Sequence, residues 1–329
     1  MKVVLCTVGS EKFPFDRLMH WVEIIAEEFS EYKFFVQSGS SKYVPQGKNV
    51  KNFSFLSGME FNSYCEQADI LIGHCGEGTI MQSVKLGKPC ILIPRKKSLG
   101  EHVDDHQFEL AHLLNDSGSN IANTFDDLRR KLREPKMLHF KQRTGEIVET
   151  LHKEIARKYI FSANAEALLV CSGGGHYELM QSLKGFHGKF QNRVWATFDT
   201  KNVKEGLKDE EVIWAHHPTI RNIPNCIKNF LLAFRELRKR KIDIVISTGA
   251  GIAVPFLIVA KVFCASTIVF VESVTRVEGL SLSAKILYYL NIMDYCLVHH
   301  EKLKGVYSNN SKIVLINDYA TEFNLSSVI

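Results

Sequence analysis

Asp69-Ile70-Leu71-Ile72-Gly73-His74-Cys75-Gly76-Glu77-Gly78-Thr79-Ile80 is the stretch on which the fold turns. A short apolar run reads as a buried strand, and Glu77–Leu86 behind it has the three- and four-residue apolar spacing of a helix. The glycines between them permit positive φ and close backbone approach. A helix that starts at such a loop presents unsatisfied N–H groups and a partial positive charge, which suits a phosphate.

The same alternation extends outward from this loop. Val3–Thr7, Lys33–Val36 and Cys90–Ile93 read as further strands, the last bracketed by Pro89 and Pro94. Asp16–Phe29 and Asp104–Asn115 read as helices. Strands separated by helices imply βαβ units and a parallel sheet. Beyond about Asp126 the chain turns charge-rich and loses strand signals, with Gly145–Ile160 reading as an exposed or bridging helix. Alternation then restarts, with strands expected at Ala167–Cys171, Arg193–Phe198, Asp243–Ser247, Thr267–Val271 and Tyr295–Val298. The expected class is α/β with two Rossmann-like domains, 1–160 and 161–329, and a cleft between them.

Two more glycine loops follow strands in the second half: Ser172-Gly173-Gly174-Gly175-His176 and Thr248-Gly249-Ala250-Gly251. Any one of them is explained equally by a tight strand–helix turn. None fits the dinucleotide G-x-G-x-x-G with its downstream acid or the Walker G-x-x-x-x-G-K-[ST], which disfavours NAD enzymes and ATPases.

Composition narrows the classes further. The 329 residues suffice for two cores, and 45% hydrophobic with 23% charged residues is ordinary for a globular protein. A net charge of +5 suits an anionic lipid surface or a phosphate-bearing substrate but is too small to argue for nucleic acid. The eight cysteines have no C-x-x-C pair or regular spacing, which reads as reduced thiols in a cytoplasmic protein. The run from Met1 to Cys6 is too short for a signal sequence, and the apolar segment Ile252–Phe263 is broken by Pro255 and Lys261. A buried helix is expected there, and no membrane span. Ile223–Lys241 places Phe230, Leu231, Phe234 and Leu237 beside Lys228, Arg235, Arg238, Lys239, Arg240 and Lys241. This is either a basic amphipathic helix lying on a membrane or a domain face with a solvated side.

The ordered motifs also carry a resemblance. Thr7-Val8-Gly9, Phe13-Pro14-Phe15-Asp16-Arg17-Leu18, Gly73–Ile80, Gly87-Lys88-Pro89, Pro94-Arg95 and Gly100-Glu101-His102-Val103-Asp104-Asp105-His106-Gln107 resemble the donor-binding subunit of a eukaryotic two-subunit transferase. That enzyme adds the second N-acetylglucosamine in dolichol-linked chitobiose synthesis, and its bacterial exopolysaccharide counterpart is equally similar. Ser172–His176, Ser247–Gly251, Val254-Pro255, Val271-Glu272-Ser273, Arg276 and Leu280–Tyr288 look like the membrane-recruiting, acceptor-binding partner subunit. The order is permuted relative to the related lipid II transferase, whose acceptor domain comes first. The membrane helix of the eukaryotic acceptor subunit has no counterpart in this sequence.

The resemblance implies an inverting GT-B glycosyltransferase at the cytoplasmic face of a membrane. It would move glucuronic acid, N-acetylglucosamine or galactose from a UDP-sugar to a polyprenyl-diphosphate-linked saccharide, in a linkage expected to be β-1,4. On the donor side it implies Gly9, His74, Gly76, Glu77, Gly78 and Thr79, with Gln82 where the lipid II enzyme has a ribose-binding Glu. Arg95, Glu101, His106 and Gln107 join them, although Arg95 reads equally as a solvated loop charge. Gly174, Gly175, Arg221, Gly249, Gly251 and Arg276 fall on the acceptor side, Arg221 reading equally as plain surface. His176 is the first choice for general base, because imidazole takes a proton near neutral pH, with helix capping or contact with the acceptor phosphate as its other readings. Glu272 competes, with pairing to Arg276 as its other reading.

No cofactor or metal is expected. There is no D-x-D motif, and His102 and His106, four apart, fail the H-E-x-x-H pattern at Val103. A UDP-sugar epimerase and a non-catalytic nucleotide-sugar-binding protein are the alternatives.

Overall fold

The computed structural model describes residues 1–9, 12–115, 120–138, 144–153, 165–219, 222–307 and 310–316. The chain divides into two compact units, Met1–Gln142 and Arg143–Ile329.

The first unit runs β1 (Val3–Thr7), α1 (Asp16–Glu28), β2 (Lys33–Gln37), β3 (Val50–Phe53), α2 (Gly58–Gln67), β4 (Ile70–His74), α3 (Glu77–Leu86), β5 (Cys90–Ile93), α4 (His106–Asn115) and α5 (Phe125–Arg133). Its strands form one sheet in the order β3-β2-β1-β4-β5. Every pairing is parallel, with Leu5 opposite Phe35 on one side and Leu71 on the other. Alternation along the strands sends Val4, Cys6, Ile70 and Ile72 to a core with α1 and α5, and Leu5, Leu71 and Leu92 to a core with α2, α3 and α4. A sheet buried on both faces needs such apolar runs.

The second unit runs α6 (Thr144–Leu151), β6 (Glu166–Val170), α7 (Gly175–Ser182), α8 (Lys184–His187), β7 (Asn192–Phe198), α9 (Lys201–Gly206), β8 (Glu211–Ala215), α10 (Ile223–Leu237), β9 (Ile242–Ser247), α11 (Ala253–Cys264), β10 (Thr267–Val271), α12 (Leu282–Tyr289), β11 (Tyr295–Val298), α13 (Glu301–Val306) and β12 (Ile313–Leu315). The sheet order is β12-β11-β10-β9-β6-β7-β8, again parallel throughout. One core joins Leu168, Val245 and Phe270 to α10, α11, α12 and α13. The other joins Leu169, Trp195 and Ile246 to α6, α7, α8 and α9.

Both sheets are therefore wound outward from their first strand, and each has a topological switch point, between β1 and β4 and between β6 and β9. In open α/β sheets ligands bind at that point, beyond the carboxyl ends of the strands. The Rossmann-like expectation holds for each unit.

The division at Gln142 and Arg143 precedes the expected boundary near 160. The reason is packing: Ile147 and Leu151 of α6 are buried in the second unit's core. The part of the bridging segment beyond residue 153 lies outside the described residues. The Ile252–Phe263 segment forms the expected helix, α11, although Val262 and Phe263 at its end are exposed. All eight thiols are free, and burial pushes those of Cys65, Cys90 and Cys171 up to about 12.

Candidate functional site

In the first unit the loops after β1 and β4 meet at the switch point. Gly9 has φ +77, and a Cβ there would lie 2.8 Å from Cε1 of His74. The His74 ring also occupies the space that a Gly76 side chain would need. Gly73 is confined by the side chain of Thr79 and by the Thr7 carbonyl. These glycines let two chain turns and one imidazole share a small volume. Gly78 faces open space, and no side chain caps the start of α3 at Gly76. By contrast α2 and α5 are capped by Ser57 and Thr124. The mouth of this loop is thus open where helix N–H groups converge. Burial first, and then the Arg95 charge, hold His74 well below the usual imidazole range, so it is neutral near pH 7.

The residues beyond β5 mostly build this loop. Arg95 is buried, and its guanidinium donates to the carbonyls of Glu101 (2.8 Å), Phe13 (3.1 Å), Pro14 (3.3 Å) and Val8 (2.6 Å) while stacking over Phe15. The reading of Arg95 as a solvated charge is corrected: it clamps the β1 loop to the segment after β5. Glu101, also buried, takes a two-point contact from Arg17 at 2.9 and 2.8 Å and accepts from Lys96 N at 2.7 Å. Gln107 Oε1 accepts from Arg95 N at 3.1 Å. These polar groups are engaged with protein, which gives them a supporting place behind the site. Gln82 donates to Asn62 Oδ1 at 3.4 Å, tying α3 to α2. Glu77 and Thr79 are buried in the first turn of α3. His106 starts α4, with Nδ1 on Asp104 Oδ1, and the same oxygen lies 3.1 Å from His102 Nδ1.

In the second unit the loops after β6 and β9 meet in the same way. Gly174 (φ +67) leads into α7, which has no side-chain cap. His176 stands in the first turn of α7, and its Nδ1 lies 2.6 Å from the Thr248 carbonyl. A carbonyl only accepts, so Nδ1 carries the proton, and in the neutral ring Nε2 keeps its lone pair. Thr248 Oγ1 donates back to the His176 carbonyl at 2.7 Å. Gly249 (φ +106) lies under the ring, where a Cβ would stand 3.3 Å from Cε1. Gly251 has no room for a side chain beside Thr219.

Glu272 is buried at the end of β10, where Oε1 accepts from Ser273 N (2.9 Å) and Oε2 from Ser281 N (2.8 Å). Both carboxylate oxygens are thus engaged by backbone amides, which anchors the loop after β10. Arg276 is half-buried, with its N–H closing a turn onto the Ser273 carbonyl. Arg221 lies outside the described residues. Sequence reasoning missed Thr248 as the residue that orients His176, because the two are far apart in the chain.

Two doubly wound parallel units, each with glycine loops at its switch point, define a two-domain α/β protein of Rossmann-like class. Comparison with known proteins narrows the class. Residues 3–153 match the glycosyltransferase family 28 C-terminal domain, and residues 214–316 match the family described as oligosaccharide biosynthesis protein Alg14 like. Two family models thus match successive parts of one polypeptide, in the order that the resemblance implied.

UDP-N-acetylglucosamine transferase subunit ALG13 of Mus musculus is 29% identical over 126 residues, which are 36% of this chain and 10% of that protein. Subunit ALG14 of Homo sapiens is 38% identical over 81 residues, 23% of this chain and 37% of that protein. The chain therefore spans well under half the length of either relative. Among solved structures, MurG of Acinetobacter baumannii is similar over 46% of this chain and 45% of its own, at 16% identity and a TM-score of 0.38, too low to bear on the argument. The first family match ends within the segment that contains α6, and the Ser172–His176 loop precedes the second.

Proposed function

We propose that this chain is an inverting glycosyltransferase that moves a sugar from a UDP-sugar to a polyprenyl-diphosphate-linked saccharide. The observation that carries the proposal is the pair of glycine-lined switch points, one in each unit, within a chain whose two halves match two glycosyltransferase-associated families. The donor belongs to the first unit, where the open start of α3 suits a diphosphate. The acceptor belongs to the second unit. Its hydroxyl oxygen attacks the anomeric carbon, the bond from that carbon to the UDP oxygen breaks, and His176 Nε2 takes the hydroxyl proton. Helix N–H groups stabilise the charge that develops on UDP, so the transfer proceeds without a metal in the reacting centre.

The names of both relatives support UDP-N-acetylglucosamine as the first donor to test, with UDP-glucuronic acid and UDP-galactose beside it. The assay is transfer to an undecaprenyl- or dolichyl-diphosphate saccharide, with isothermal titration of each nucleotide sugar. If no UDP-sugar binds, the proposal fails.

We also propose peripheral attachment to the cytoplasmic face of a membrane through the outer face of α10, α11 and α12. Among the described residues no helix is long and apolar enough to cross a membrane. Yet Ile223, Ile227, Leu231 and Phe234 form an exposed stripe along α10, joined by Val262 and Phe263 of α11 and by Leu282, Ile286 and Tyr289 of α12. Phe234 and Phe263 touch, with ring centroids 5.0 Å apart. Exposed Lys228, Lys239 and Lys241 flank the stripe, favouring anionic lipid. Arg240, counted among these bases from the sequence, is engaged with Glu211 and Glu166. Flotation with phosphatidylglycerol vesicles should recover the wild-type chain and lose Leu231→Glu, and equal recovery of both would exclude this face.

A further inference from the structure

We propose that His102, Asp104 and His106 form a binding site for a borderline divalent cation of the zinc class. The sequence argued against metal here because the pair of histidines lacks the H-E-x-x-H helix. The structure shows a different arrangement. His102 and Asp104 lie on the bend before α4, and His106 is its first residue. Alternate residues of this H-x-D-x-H run turn toward one point, and their ligand atoms all lie within 4.8 Å of one another.

The donor set suits zinc. Two imidazole nitrogens and one carboxylate oxygen are the ligands of catalytic-type zinc sites, which keep a fourth position for water. Metal–ligand bonds of about 2.0–2.2 Å place tetrahedral ligand atoms roughly 3.4 Å apart. Asp104 Oδ1 is already 3.1 Å from His102 Nδ1 and within hydrogen-bond reach of His106 Nδ1. Both imidazoles are largely covered, with side-chain exposures of 14% and 12%, whereas Asp104 at 40% leaves the cluster open to solvent on one side. The Phe13 ring packs against His102, with centroids 5.3 Å apart. The neighbouring carboxylate, Asp105, is directed elsewhere and accepts from Lys97 N at 2.9 Å.

Ionised Asp104 only accepts, so the His106 Nδ1 facing it carries a proton that a cation would displace, whereas His102 Nδ1 lies near both the Asp104 carboxylate (3.1 Å) and the Asp104 N–H (3.5 Å). The cation would hold the bend against the start of α4. It takes no part in the transfer proposed above, and its binding is measured without any sugar substrate.

The test is calorimetric titration of the full chain at pH 7.5, tag removed and chelator-treated, with ZnCl2, CoCl2 and MgCl2. Expected are one Zn2+ per chain, a Co2+ complex with the visible absorption of a four-coordinate site, and no Mg2+ binding, because nitrogen ligands select against magnesium. His102→Gln, Asp104→Asn and His106→Gln should each weaken Zn2+ binding by more than the roughly 10–100-fold of an outer-shell change. His112→Gln, an exposed position on α4, should leave it unchanged. Circular dichroism of each variant verifies that it is folded. Absence of Zn2+ binding, or wild-type binding by a folded His102→Gln/Asp104→Asn double variant, overturns the proposal.

Discussion

Arg95 separates two accounts of the donor half, and its replacement tests them directly. In a phosphate site, Arg95→Met would abolish UDP binding, Arg95→Lys would keep much of it, and neither would alter the melting temperature greatly. The structure predicts the opposite pattern. The guanidinium is covered and satisfies four carbonyls, two of them closely, Val8 at 2.6 Å and Glu101 at 2.8 Å. Charge-assisted bonds of this kind contribute about 1.5–3 kcal/mol each, so the two short ones together hold roughly 3–6 kcal/mol. Met fills the stem's volume and removes the cost of burying a charge, which offsets part of the loss. A net cost of about 2–4 kcal/mol is expected for Arg95→Met. Arg95→Lys should cost at least as much, because an ammonium stays buried yet reaches fewer of the diverging carbonyls. At about 4 °C per kcal/mol for a unit of this size, the first unit should melt roughly 8–16 °C lower. Differential scanning calorimetry of the full chain, paired with UDP titration, gives both readouts. If both variants melt within about 2 °C of wild type while only Met loses UDP binding, Arg95 is a ligand contact and the clamp is refuted.

His176→Gln should lower kcat by about 10²–10⁴-fold with the fold intact, whereas Glu272→Gln should cost about 1–3 kcal/mol of stability and leave the pH–rate profile unchanged, since one backbone amide loses its carboxylate. A wild-type kcat in the first variant, or loss of the acid-side limb of the pH–rate profile in the second, would reverse the two roles. His187, packed edge-on to Trp195, is held by burial at about 4, below its ordinary 6.5. A depressed histidine value means that the unfolded chain takes up the proton first, so its contribution is complete above pH 6.5 and is lost as pH falls toward 4. That contribution is about 3 kcal/mol, and His187→Phe should flatten the urea midpoint between pH 7 and 4, a slope parallel to wild type counting against it.

The central strands were legible because both their faces are buried, which leaves continuous apolar runs with glycine at the exits. β3, β8 and β12 were not, and all three lie at sheet edges. β3 carries Lys51 and Asn52, and β12 has only three residues, so neither offers a run to read. α2 and α5 did carry a local signal, the capping boxes Ser57–Glu60 and Thr124–Asp127, which composition alone passes over. The site was legible as motifs but not as roles. Arg95 meets Val8, and His176 meets Thr248, across separations no local pattern encodes.

Those long-range contacts give the two loop histidines different chemistry. His74 leaves β4 and lies against Gly9 of the neighbouring loop, and His176 follows β6 and lies against Gly249 of its own neighbour. In each unit glycine makes room for an imidazole where the winding reverses. Yet His74 is driven to its neutral form by burial and by Arg95, and its buried Nδ1 has no hydrogen-bond partner among the described residues. It is therefore unsuited to carrying a proton. His176 has its Nδ1 engaged by the Thr248 carbonyl, which fixes one tautomer and leaves Nε2 as the acceptor. In the transfer proposed above, only His176 is therefore placed to take a proton.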